Sequence, residues 1–119
     1  MNRQEELNGK WMLTSAVSAG EDGASPEGTF LIIQGDDFER HTPAHVFKRK
    51  IKVDTTVDPH QIDLAITNEP DLGKTFLGIY RVEGDTLFLA HALPGRPRPT
   101  NFISTVENQQ VLSISVKQH

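Results

Sequence analysis

The five histidines are the side chains of this sequence best suited to chemistry near neutral pH, because imidazole can transfer protons and ligate metals there. They are His41, His45, His60, His91 and His119. His41 and His45 have the spacing of two metal ligands on one face of a helix, but Pro43 lies between them and disfavours a helix. No metal site is therefore predicted from this pair.

His91 differs from the other histidines because it alternates in phase with apolar residues. Leu87, Leu89 and Leu93 share its spacing of two, which would place all four side chains on the buried face of one strand. A histidine in that position could be a hydrogen-bonded core residue, a contact for a small ligand or a ligand of haem. The sequence alone favours the first of these interpretations and leaves the ligand contact open.

Other motifs lack the context that their chemistry requires. Gly73-Lys74-Thr75 resembles the end of a phosphate-binding loop, but Asn68 stands where the first glycine is required, and a strand is expected to follow where the motif needs a helix. The acidic residues at 36, 37 and 39 do not have the spacing of a calcium loop and indicate a solvated hairpin. No Gly-x-Ser-x-Gly motif is present. No catalytic residue is predicted.

Length and composition bound the class of protein. The chain has 119 residues, no cysteine and a formal net charge of −4. This length suits one domain over residues 1–119, and the lack of cysteine excludes disulfides and thiolate sites. The negative charge disfavours nucleic-acid partners. In the basic run at 48–52, the lysines at 48, 50 and 52 are therefore expected to form a solvated outer strand face, with residues 47, 49, 51 and 53 on the opposite, inner face. The apolar runs are too short to span a bilayer, and no apolar signal core is present near Met1, which favours a cytoplasmic location.

Short alternating segments predict an all-β fold. We expect about eight strands at a spacing of about 8–12 residues, among them 11–17, 45–56, 86–93 and 100–105. The connections are too short for parallel crossovers, so the sheet should be antiparallel. Eight such strands can close into a barrel whose interior holds packed side chains or one small ligand.

The first segment carries two further predictions. Asn2 and Glu5 have the spacing of a capping box, which predicts a short N-terminal helical turn that ends at Gly9. Alternation in the following strand predicts that one face carries Trp11, Leu13, Ser15 and Val17.

Six segments, in order over nearly the whole chain, carry a resemblance to a known family. They are LNGKWML from Leu7, DTTVDPHQIDLAIT from Asp54, Gly73-Lys74-Thr75, LGIYRVEGDTLFL from Leu77, Arg98-Pro99-Thr100-x-Phe102 and VLSISV from Val111. Together they resemble the small uncharacterised domain family best known from planctomycete bacteria. That family is regarded as lipocalin-like, so the resemblance implies a single antiparallel lipocalin-like β-barrel and brings no established activity.

The resemblance also implies how the barrel closes. In lipocalin-like barrels a Gly-x-Trp motif, here Gly9-Lys10-Trp11, begins the first strand, and an arginine from near the last strand lies over the indole. The candidate for that arginine is Arg98, with Arg96 as the second choice. Members of the resembled family often carry a cysteine near the position of Ala90, and any role of that thiol is excluded in this chain.

The expected function is non-catalytic. We expect the barrel to bind a small apolar or amphipathic molecule in its interior, with Trp11, Tyr80 and His91 as the ligand-binding residues, because the first two combine an apolar body with a polar group. The alternative is a fully packed barrel that acts as a protein-interaction module through an unspecified partner surface. An enzyme is the least favoured class. No metal, cofactor or nucleic-acid partner is expected.

Overall fold

The computed structural model describes residues 6–23, 28–68 and 72–118. These residues form nine β-strands and no α-helix. The strands are β1 (Gly9–Ser18), β2 (Glu21–Asp22), β3 (Phe30–Gln34), β4 (Asp37–His41), β5 (Val46–Asp54), β6 (His60–Ile66), β7 (Thr75–Glu83), β8 (Thr86–His91) and β9 (Val111–Gln118). The all-β prediction is confirmed.

Eight of these strands close into one antiparallel barrel. The order around the sheet is β1-β3-β4-β5-β6-β7-β8-β9, and β9 pairs with β1 from Lys10↔Gln118 to Ser18↔Val111. The short strand β2 pairs only with the end of β1. Closure leaves the eight barrel strands without an unpaired long edge, which removes a site of edge-to-edge aggregation.

Two tight turns fix the register of the hairpins on either side of them. Gln34 pairs with Asp37, and Glu83 pairs with Thr86, so each hairpin has a two-residue turn. The first turn residues, Gly35 and Gly84, have φ of 61° and 60°. Glycine adopts this left-handed conformation without steric cost, so each Gly-Asp pair can reverse the chain between two strands.

A β-bulge in β1 contradicts the predicted inward face of that strand. The pairing with β9 shifts between Leu13 and Ser15, and the Thr14 hydroxyl donates to the carbonyl of Ile114 at 3.0 Å. The extra residue reverses the alternation, so Ala16 becomes buried after the bulge. The prediction that Ser15 and Val17 share the face of Trp11 is therefore wrong.

The buried side chains of the interior form one core cluster. The buried core cluster consists of Leu7, Trp11, Leu31, Ile33, Phe38, Ile51, Ile62, Leu64, Tyr80, Leu87 and Leu89. On β5 the predicted inner and outer faces are confirmed: Ile51 is buried, while the lysines at 48, 50 and 52 are exposed. Leu93, predicted to extend the inner face of β8, lies beyond that strand and is exposed.

The long connection from β8 to β9 covers part of the outer barrel wall. Residues 100–105, predicted as a strand, do not form one. β8 already pairs with β7 on one side and β9 on the other, so its ladder has no free edge for a further strand. Side-chain hydrogen bonds hold this segment instead: Ser104 Oγ donates to the carbonyl of Gln110 at 2.6 Å and accepts from the amide of Gly20 at 3.0 Å.

The predicted N-terminal helical turn is not supported. Asn2 and Glu5 lie outside the described residues, and in the described part of that segment Glu6 and Leu7 have 3₁₀ backbone geometry, while Gly9 already begins β1. Among residues 6–23, 28–68 and 72–118, no helix has the length and apolar character needed to cross a membrane.

Candidate functional site

A cavity of about 250 Å³ lies in the interior of the barrel. Its lining residues are Leu13, Ala16, Ser18, Leu31, Phe38, Arg40, Phe47, Arg49, Ile66, Phe76, Leu89, His91, Val111 and Ser113. Each of the eight barrel strands contributes at least one of these side chains. The cavity is therefore an unfilled part of the barrel interior, and it is partly open to solvent.

Two arginines give this largely apolar lining a positive character. Arg40 on β4 and Arg49 on β5 are both half-buried and both line the cavity. Burial lowers the pKa of Arg40 from its ordinary value, although a guanidinium stays protonated in proteins. The Arg40 guanidinium lies 5.1 Å from the ring centre of Phe47, and that of Arg49 lies 5.3 Å from the ring centre of Phe76. In each contact the positive charge of the guanidinium is attracted to the face of the aromatic ring.

His91 completes the polar part of the lining. Its ring stacks on Phe76 with 5.0 Å between ring centres. Burial, together with the positive charges of Arg49 and Arg40, lowers the pKa of His91 to about 3, so the imidazole is neutral at pH 7. Nδ1 is buried and has no hydrogen-bond partner among the described residues. The site thus presents a neutral imidazole beside two cations.

Trp11 belongs to the buried core cluster and is not among the residues that line the cavity. Its side chain is fully buried, and Nε1 donates to the carbonyl of Leu7 at 2.8 Å. The cation over its indole is Lys117, whose Nζ lies 5.5 Å from the ring centre. Lys117 reaches this position because Trp11 and Lys117 pair directly across the β1–β9 ladder.

Arg98 is placed differently from the prediction. Its Nη1 donates to the carbonyls of Ile62 and Gly78, and its Nη2 donates to Oδ1 of Asp63. These groups belong to β6 and β7, so the predicted contact with the indole is replaced by an anchor for the connection from β8 to β9. Arg96, the second choice, points to the carbonyl of Asn108 at 3.5 Å. The sequence could not reveal this because the path of a long connection depends on contacts far away along the chain.

Tyr80 is also a core residue and does not line the cavity. It is almost fully buried, and its ring lies 5.4 Å from that of His60. Of the three side chains predicted to contact a ligand, the structure places His91 at the cavity and the other two in the packed core.

Sequence reasoning missed Arg40 and Arg49 as site residues. Arg49 alternates with Phe47, Ile51 and Val53 on one strand face, so the required signal was present. The alternation placed Arg49 on that face, but its charge was considered only as part of the basic run at 48–52. Arg40 is in phase with the buried Phe38 on β4 in the same way.

The remaining motifs form no second site within the described residues. No group of three or more metal-ligating side chains occurs in that part of the chain. Asp36 and Asp37 pair with Lys50 across the β4–β5 ladder. Gly73, with φ of 90°, lies in a turn, and Thr75 begins β7 where a phosphate-binding loop would need a helix.

Comparisons with protein-family models, with curated proteins and with solved structures found no match for this chain. The resemblance to the planctomycete lipocalin-like family therefore stays a prediction. No relative supplies an activity or a ligand, so inference about function depends on the cavity.

Proposed function

We propose that this domain binds one small amphipathic molecule inside the barrel. The single observation that carries the proposal is the cavity lined by side chains from all eight barrel strands. A barrel of this size can either fill its interior with side chains or keep room for one small ligand. An unfilled cavity forfeits packing contacts, so its presence favours the binding function over the fully packed interaction module.

The size of the cavity limits the ligand. Its volume of about 250 Å³ lies between the roughly 150 Å³ cavity that admits benzene and the roughly 300–1,000 Å³ pockets of drug-sized ligands. An eight-carbon chain or a single substituted ring suits this range. Apolar walls from Leu31, Phe38 and Leu89 would cover the hydrocarbon part, and the polar side chains would face the head group.

The lipocalin-like assignment is part of this proposal. An eight-stranded antiparallel barrel with a ligand-sized interior is compatible with this assignment. It is also compatible with membership of the resembled bacterial family. Support for the binding function comes from the residues that line the interior, because a shared fold does not determine a function.

Binding can be tested by native mass spectrometry and by NMR titration with three eight-carbon probes: octanoate, 1-octanol and octylamine. We expect at least one probe to bind with 1:1 stoichiometry and to shift the amide signals of Leu13, Leu89 and Ser113. The variant Ala16→Leu, which adds volume to the cavity wall, should weaken binding at least fivefold. Ala65→Leu, on the outer face of β6, is the matched control and should bind as the wild type does.

Two results would contradict the proposal. The first is that none of the probes binds to the wild-type protein. The second is that Ala16→Leu and Ala65→Leu bind equally well, which would place the ligand outside the barrel. Thermal unfolding of both variants shows whether each retains a folded barrel before binding is compared.

A further inference from the structure

We propose that the barrel selects an anionic ligand, with a carboxylate-type head group held between Arg40 and Arg49. This inference deepens the proposed function and rests on it. It adds the chemical class of the ligand and names the residues that would recognise it.

The strand register brings the two arginines together. Arg40 pairs with Phe47, and Phe38 pairs with Arg49, so the arginines are diagonal neighbours on β4 and β5. Diagonal neighbours on one face of an antiparallel pair lie about 7–8 Å apart, within reach of long side chains. Because both side chains line the same cavity, their guanidinium groups can converge on one anion.

The charge of the lining favours an anion over a neutral or cationic head group. The described residues that line the cavity include two arginines and no aspartate or glutamate. The attraction between a guanidinium of the lining and the head group of an anion is stronger inside a protein than in water. Guanidinium groups also match the paired oxygens of a carboxylate, which gives a directional preference.

Neighbouring side chains restrict the arginines before a ligand arrives. The Arg49 guanidinium lies near the rings of both Phe76 and Phe38, at 5.3 and 5.8 Å, and that of Arg40 lies near the ring of Phe47 at 5.1 Å. Side chains held in this way lose less conformational entropy on binding. His91 adds no competing positive charge at pH 7, because its imidazole is neutral there.

The three eight-carbon probes separate the effect of the head group from that of the chain. We expect isothermal titration calorimetry at pH 7 to show that octanoate binds at least tenfold more tightly than 1-octanol, and that octylamine binds least. Arg49→Gln and Arg40→Gln should each weaken octanoate binding at least tenfold and change 1-octanol binding less than threefold. Arg81→Gln is the matched control, because Arg81 also lies over aromatic rings, Phe88 and Phe102, but on the outer wall. It should bind all three probes as the wild type does.

The outcomes distinguish this inference from the proposed function. Failure of all three probes to bind would overturn both. Binding of 1-octanol as tight as that of octanoate would overturn the anionic selectivity and leave the binding function standing. Equal losses in Arg81→Gln and Arg49→Gln would also overturn the inference, because they would point to a general charge effect. The ranking of probes on the wild-type protein decides the question even if a cavity variant fails to fold.

Discussion

Arg98 Nη2 donates to Oδ1 of Asp63 at 2.6 Å, and the same guanidinium donates through Nη1 to the carbonyl oxygens of Ile62 at 3.2 Å and Gly78 at 2.9 Å. Ile62 and Gly78 pair directly across the β6–β7 ladder. One side chain from the connection between β8 and β9 therefore joins three acceptors on two neighbouring strands. This side chain therefore fixes the connection to both β6 and β7.

Replacing Arg98 should destabilise the barrel although this residue lies outside the core. Arg98→Lys keeps the charge but cannot reach all three acceptors, so we expect the free energy of unfolding to fall by about 1–3 kcal/mol. Urea unfolding of Arg96→Lys is the control, because Arg96 is exposed and the variant should stay within about 0.5 kcal/mol of the wild type. Equal stability of Arg98→Lys and wild type would show that the three hydrogen bonds contribute nothing net.

Gly9 and Lys117 are coupled across the seam of the barrel. Gly9 has φ of 135°, and a Cβ atom placed on it would lie 2.8 Å from Cε of Lys117. We expect Gly9→Ala to lose about 1–3 kcal/mol from backbone strain and from displacement of the lysine from the Trp11 indole.

A double-mutant cycle with Lys117→Ala separates the two effects. The loss caused by Gly9→Ala should be smaller in the Lys117→Ala background, where only the backbone strain remains. An unchanged loss would mean that the lysine side chain moves aside freely.

Trp11 should be a poor reporter of ligand binding. Because its side chain is fully buried and does not line the cavity, we expect acrylamide to quench its fluorescence weakly. Saturation with octanoate should change the emission maximum little. Trp11→Phe should lose about 2–4 kcal/mol, since it removes buried volume and the hydrogen bond to Leu7. Strong quenching by a bound probe would contradict this placement of the indole.

His91 should make the stability of the fold depend on pH. The unfolded chain takes up a proton on this imidazole near pH 6.5, whereas the folded chain resists protonation down to about pH 3 because of burial and the charges of Arg49 and Arg40. Unfolding therefore takes up a proton between these values, and the stability falls as the pH is lowered through this window. Above pH 6.5 the imidazole is neutral in both states and contributes no dependence.

A substitution isolates this contribution from those of other groups. Between pH 7 and pH 5 the wild type should lose about 1–2 kcal/mol more than His91→Gln, as measured by urea unfolding at each pH. NMR titration of the imidazole provides the direct check. A midpoint near 6.5 in the folded protein would overturn the burial of this ring among the arginines.

Local alternation and turn chemistry predicted most strands, because side-chain period and left-handed glycines act over a few residues. The β7–β8 hairpin around Gly84 is an example: a strand was predicted over 86–93, and β8 runs from Thr86 to His91. The bulge at Thr14 and the fate of residues 100–105 could not be predicted in this way. Both depend on which strand edges are already paired in the closed barrel.

The candidate site shows the same difference between features set by neighbouring residues and features set by distant contacts. His91 could be assigned to the inner face from its phase with Leu87 and Leu89, and the structure places it at the cavity. Whether its surroundings were filled or empty depends on the summed side-chain volumes of eight strands, which no short segment specifies. The same applies to Arg98, whose acceptors belong to strands about 20 and 35 residues earlier in the chain.

The order of strands around the barrel has a consequence for how the chain folds. Seven of the eight barrel pairings join strands that follow one another along the chain, with only β2 intervening between β1 and β3. The pairing of Lys10 with Gln118 instead brings together segments about a hundred residues apart, for which loop closure in a flexible chain costs about 4 kcal/mol. Such a long-range step is slow compared with hairpin formation. The β1–β9 seam is therefore expected to form last during folding, and its amide protons should exchange with solvent before those of the β7–β8 hairpin.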